Sequence, residues 1–174
     1  MTNAQSRGNA LLAILSGNDP VQIADLDVAH CVQFASLDPE TQQEWLHHVI
    51  NAGALAGLDW MIARNVPLSV CDTCGYTPIL AALELDEPLR YAVMERLIAG
   101  GADVDAHGFN DWTPLHKAAA ANDLKALRLL LDAGADRSRK TRIDDLATPE
   151  EEARMLGQQA AAAFLADYTG SADA

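Results

Sequence analysis

An all-α solenoid of stacked helix pairs is the architecture this sequence predicts, on three observations. Alanine and leucine supply most of an apolar share of 49%, while aromatic residues make up only 5%, a balance that favours helices. A Thr-Pro start and a Gly-Ala-Asp end recur in phase along the chain. The last such unit turns polar and acidic at its start, as the end of a stack must where its outer face meets water.

The elements follow in chain order. Residues 1–37 lack the recurring motif and read as two helices, over residues 4–16 and 20–35, with Asp19-Pro20 opening the second. They are expected to form an N-terminal helical cap. Asp38-Pro39 then gives a cap and a first helical position, so the next helix starts early and runs to Ala52, with Gly53 ending it. Asn65 serves as the left-handed stop of its partner helix. Asp72-Thr73-Cys74-Gly75 forms the turn between units, with glycine at a positive-φ position.

Thr77-Pro78-Ile79-Leu80-Ala81-Ala82 opens the second unit, which runs through Leu97-Ile98 to Gly101-Ala102-Asp103. It carries about three extra residues around 85–90, read as a lengthened loop with Pro88 breaking the helix. Thr113-Pro114-Leu115-His116-Lys117-Ala118-Ala119 opens the third, 36 residues after Thr77, and ends at Gly134-Ala135-Asp136. Threonine caps that helix, proline takes its first position, and the small Ala118 and Ala119 admit a close neighbour. Leu124, Leu127, Leu130 and Leu131 recur at helical spacing and are expected to cover the core. Thr148-Pro149, 35 residues after Thr113, opens a fourth unit with Glu150-Glu151-Glu152 in its first turn, where acids suit the helix dipole. Upstream, Leu46-His47 matches Leu115-His116.

This pattern resembles the ankyrin repeat, whose period is about 33 residues and whose mark is T-P-L-H-x-A. The resemblance covers residues 39–168, with units at 38–71, 72–107, 108–142 and 143–169 and a tail at 170–174. It implies that His47 and His116 make structural hydrogen bonds between neighbouring repeats. It also implies that residues just before each Thr-Pro project from the concave side. Those are Tyr76 in one unit and Phe109, Asn110, Asp111 and Trp112 in the next. Glu84, Leu85, Ala120 and Ala121 are expected to line the same groove. Tyrosine and tryptophan anchor many interfaces; the alternative is that these rings pack on adjacent turns.

Composition narrows the partners. Twelve basic residues against twenty-five acidic give a net charge of −13, which disfavours nucleic acid and anionic membranes. A basic protein partner suits that field, although the charge also serves solubility. Three cysteines, Cys31, Cys71 and Cys74, do not make a disulfide framework and fit a reducing cytoplasm. Met1 to Gly17 reads as a mature helix and not as a leader.

Other constellations are weaker. Cys71-Asp72-Thr73-Cys74 is one C-x-x-C, and even with His107 it offers fewer than the four ligands of a structural zinc site. His30, His48 and His107 have no paired nucleophile at a recognisable spacing. Arg137, Arg139, Lys140 and Arg142 form the one basic cluster, able to grip an acidic segment or to offset Asp132, Asp136, Asp144 and Asp145 nearby. The expected function is non-catalytic protein binding by a chain that is monomeric alone and needs no cofactor or metal. A short acidic ankyrin protein resembles bacterial inhibitor, immunity or chaperone-like proteins. The alternatives are a secreted host-mimicking effector, a scaffold within a larger assembly, or a metal- or thiol-dependent enzyme or sensor using Cys71 and Cys74.

Overall fold

Five helices start the same way: an acidic or hydroxyl side chain on extended backbone, then proline. Proline needs no amide partner at that position and its φ is already helical. These starts order the computed structural model of the chain, which describes residues 3–26, 28–69, 71–141 and 146–169. The helices are α1 Asn3–Ser16, α2 Pro20–Ala24, α3 Val28–Ala35, α4 Pro39–Asn51, α5 Leu55–Ile62, α6 Pro78–Leu83, α7 Leu89–Ala99, α8 Pro114–Ala120, α9 Leu124–Asp132, α10 Pro149–Met155 and α11 Gln159–Asp167. No strand occurs among the described residues.

From α4 onward the helices pair: α4 with α5, α6 with α7, α8 with α9 and α10 with α11. The first members pack on one another in a row, α4–α6–α8–α10, and the second members in a parallel row, α5–α7–α9–α11. The core lies between the rows. Leu46, Ile50, Leu58, Ile79, Leu97, Leu115, Leu127 and Leu165 are all sealed from solvent there, as are Ala118 and Ala119. Leu127, Leu130 and Leu131 cover the core as expected, but Leu124 does not. It opens α9 at the rim and is 39% exposed.

The segment read as one helix over residues 20–35 is two. Asp25 caps α2, its N–H bonding back to the Val21 carbonyl, and α3 begins afresh at Val28. Aspartate is a poor helix-interior residue because its carboxylate competes for nearby N–H groups. The break lets Phe34 turn inward, where its ring meets Trp60 edge-on at 5.2 Å and Trp45 at 6.2 Å.

The N-terminal segment also copies repeat geometry that its sequence conceals. Asn18 has a left-handed φ of 54°, and its Oδ1 accepts the Ala56 N–H at 2.9 Å at the start of α5. Asn122 has a φ of 55°, and its Oδ1 accepts the Ala161 N–H at 2.9 Å at the start of α11. Asp19 and Asp123 follow them and cap α2 and α9. α1 packs on α4 and α5, so close that a Cβ on Gly57 would lie 2.1 Å from the Leu15 carbonyl oxygen.

Candidate functional site

Each Thr-Pro start is preceded by a segment that stands beside the inner helices, and before Thr77 and Thr113 that segment is a turn. In the first, the Asp72 carboxylate accepts the N–H groups of Cys74 and Tyr76 at 2.9 and 2.8 Å, and Gly75 takes a φ of 85°. In the next, Gly108 and Trp112 close the turn through an N–H···O bond of 3.0 Å. Gly108 is needed there, since a Cβ would strike Leu80 Cδ1 and the Gly75 carbonyl.

Buried histidines lock these turns to the preceding inner helix. His47 Nε2 lies 2.9 Å from the Tyr76 carbonyl oxygen, and its Nδ1 lies 3.1 Å from that of Gln43. His116 Nε2 donates to the Ala147 carbonyl at 3.0 Å while Nδ1 accepts from Thr113, N–H at 3.3 Å and Oγ1 at 2.8 Å. That arrangement suits the neutral ring with its proton on Nε2. Burial is the main cause that holds the His116 pKa below the ordinary histidine value of 6.5. Both histidines therefore join neighbouring repeats, as the motif implies.

The expected contact residues fall into different surroundings. Tyr76 and Trp112 are half-buried, and Tyr76 packs on the core. Asn110 is exposed, with a left-handed φ of 56°. Asp111 is only 6% exposed and also left-handed, so its carboxylate turns toward His107, with Oδ1 3.3 Å from Nδ1. Phe109 opens this short turn, and its side chain lies outside the described ones. Glu84 is exposed at the end of α6 and pairs with Lys117 Nζ of α8 at 2.6 Å. Leu85 is half-buried against the core and its carbonyl accepts from Arg90 Nε at 2.9 Å.

Two hollows bracket this face. One, of about 220 Å³, is lined by Asn51, Asp72, Cys74, Tyr76, Ala81 and Glu84. The other, of about 410 Å³, is lined by Lys140, Leu146, Ala147, Glu151, Arg154 and Met155. The second escaped sequence reading. Leu146 and Met155 are 55% and 53% exposed, and the preceding residues 142–145 lie outside the described ones. Placing the fourth Thr-Pro in register with the third is the signal that would have found Met155, since it falls where Ala120 falls in α8.

The described members of the basic cluster all have partners, and of the acids expected to offset it Asp136 lies in the field of Arg139. Arg137 donates to the carbonyls of Leu165 and Tyr168 at the end of α11, both at 2.9 Å. Arg139 lies 3.8 Å from Asp105, and Lys140 3.8 Å from Glu151. Asp132 instead accepts the Tyr168 hydroxyl, whereas Arg142, Asp144 and Asp145 lie outside the described residues. Cys71 donates its thiol to the His107 carbonyl at 3.6 Å, burial raises its pKa, and Cys74 is exposed. No group of three or more His, Cys, Asp or Glu among the described residues is placed to hold a metal ion. No helix among them is long and apolar enough to cross a membrane.

A solenoid of helix pairs with turns locked by Thr-Pro and histidine is a repeat protein of the ankyrin class. The family profile described as "Ankyrin repeats (3 copies)" matches residues 46–144. The chain belongs to the ankyrin-repeat family, whose members are typically protein-interaction modules without catalytic chemistry. The nuclear factor NF-kappa-B p105 subunit of Gallus gallus is 29% identical over 133 residues, 74% of this chain and 13% of that protein. The ankyrin repeat domain-containing protein SAT10 of Stachybotrys chartarum is 31% identical over 103 residues, 58% of this chain and 5% of that protein. The chain thus spans a small fraction of either relative.

Proposed function

We propose that this chain holds a basic protein partner, without chemistry of its own, on the face built from its turn tips and inner helices. The observation that carries the reading is the exposed set on that face. Glu84, Asn110, Leu146 and Met155 are exposed there, beside buried neighbours such as Leu83, Asp111, Ala147 and Ala153. Stacked repeats make such a surface long and stiff, so a partner meets it with little loss of backbone freedom. Tyr76 and Trp112, half-buried at the turn tips, supply rigid rings for the contact. The net charge of −13 steers a cationic partner toward it.

The test is capture of partners from the native organism by the wild-type chain, by Trp112→Ala and by Phe109→Ala. The expected result is loss of one stoichiometric partner in both variants with their helical circular dichroism unchanged. Equal capture by all three proteins overturns the assignment of this face.

A further inference from the structure

A separate cleft of about 220 Å³ lies between the first turns of α4 and the inter-repeat turn. It is lined by Glu40, Gln43, Glu44, Cys71, Asp72 and Thr73. Glu40 and Glu44 stand one helical turn apart on α4, both exposed, where like charges at that spacing repel. Among the described residues no Lys, Arg or His pairs with Glu40, Glu44 or Asp72. Elsewhere on the same face acids do find cations, as Glu84 finds Lys117 and Glu151 finds Lys140.

A second observation is independent of the charges. Gln43 is 8% exposed, and its Nε2 is buried with no hydrogen-bond partner. An unpaired buried amide donor costs about 1–3 kcal/mol, and most such groups find a partner. The backbone that carries Gln43 is held in place. Its neighbour Gln42 donates to the carbonyls of Phe34 and Leu37 at 3.2 and 3.1 Å, and its own carbonyl faces His47.

We infer that this cleft receives an arginine of the bound partner, an inference that rests on the protein-binding reading above and names its chemistry. The guanidinium sits between Glu40 and Glu44 on one wall and Asp72 on the other, while the Gln43 amide, which lines the cleft, turns outward from its buried position to donate from Nε2 to a peptide carbonyl beside that arginine. Arginine fits better than lysine because its planar fork presents five donors to carboxylates on two walls, where an ammonium is a point charge.

The experiment titrates the ¹⁵N-labelled full chain with acetyl-Gly-Arg-Gly-Arg-Gly-amide and with its lysine and citrulline counterparts. Calorimetry gives the affinities and NMR follows the Gln43 side-chain amide. The expected result is that the arginine peptide moves the Gln43 amide, that citrulline abolishes binding, and that lysine binds several-fold more weakly. Glu40→Gln with Glu44→Gln weakens the arginine peptide about tenfold. Glu95→Gln with Asp167→Asn, which removes the same charge from exposed sites elsewhere, changes it less than about twofold.

Three outcomes overturn the inference: equal weakening by both double variants, equal binding of lysine and arginine, or a Gln43 amide that stays still as the peptide saturates. The two readings also separate in the capture assay. A partner lost by Trp112→Ala but kept by Glu40→Gln with Glu44→Gln leaves the groove reading standing and removes the cleft.

Discussion

Asp123 joins the second and third repeats, and its replacement tests how that joint shapes the binding face. Its buried carboxylate accepts from Arg90 at 2.6 Å, from the Tyr91 hydroxyl at 3.0 Å and from the Ala126 N–H at 2.9 Å. Asp123→Ala removes all three bonds. Losing the cap of α9 costs about 1 kcal/mol. The Arg90 bond is charge-assisted, but that side chain is 20% exposed, so it contributes about 1–2 kcal/mol. Tyr91 keeps Glu87 as acceptor at 2.6 Å, so its hydroxyl is not left unpaired. The sum is about 2–3 kcal/mol, or a fall of about 4–12 °C in thermal midpoint for a chain of this size. Asp123→Asn keeps an acceptor for cap and tyrosine, and costs about 1 kcal/mol. Urea titrations followed by far-ultraviolet circular dichroism measure both. A loss below about 1 kcal/mol in the alanine variant, or equal losses in the two variants, refutes the reasoning. Arg90 also holds the Leu85 carbonyl, so the alanine variant should loosen the loop beside Glu84, seen as faster amide exchange there.

Two further predictions follow from single residues. His116 has its pKa held below 6.5 chiefly by burial, so folded protein binds fewer protons than unfolded chain just below that pH. Its contribution to stability is whole above about pH 6.5 and falls as pH drops, because the unfolded ring takes a proton the folded ring refuses. Urea midpoints across that range should fall more steeply for wild type than for His116→Gln; parallel profiles count against it. Leu146 is left-handed, with φ 51°, a strain of about 1–2 kcal/mol that outweighs the entropic cost of glycine, about 0.5–1 kcal/mol. Leu146→Gly should therefore raise stability by up to about 1 kcal/mol while weakening partner capture. Thermal melts and the capture assay read both, and a destabilised variant contradicts the argument.

The repeat array was legible because its signals are local. Thr113-Pro114 and Thr148-Pro149 start helices through their own side chains and rings, and Gly134 ends one through its own φ of 91°. What escaped depends on residues far apart in sequence. Asp111 looked like a groove residue, but a left-handed backbone turns it inward to His107. The arginine cleft needs α4 to reach a full turn beyond the usual start of an inner helix and to meet the 71–73 segment, which Asp38-Pro39 alone could not show. The repeat geometry of α1 was hidden because only Gly17-Asn18-Asp19 survives as its echo of Ala121-Asn122-Asp123.

The brackets made by Asn18, His47, His116 and Asn122 all point one way along the polypeptide. Each belongs to an earlier segment and fastens a backbone group some 30 to 40 positions later. The stack is therefore directional: each of these side chains seats the pair that follows it, so loss of an early pair unseats its successor, whereas loss of the last pair takes none of these fasteners from those before it.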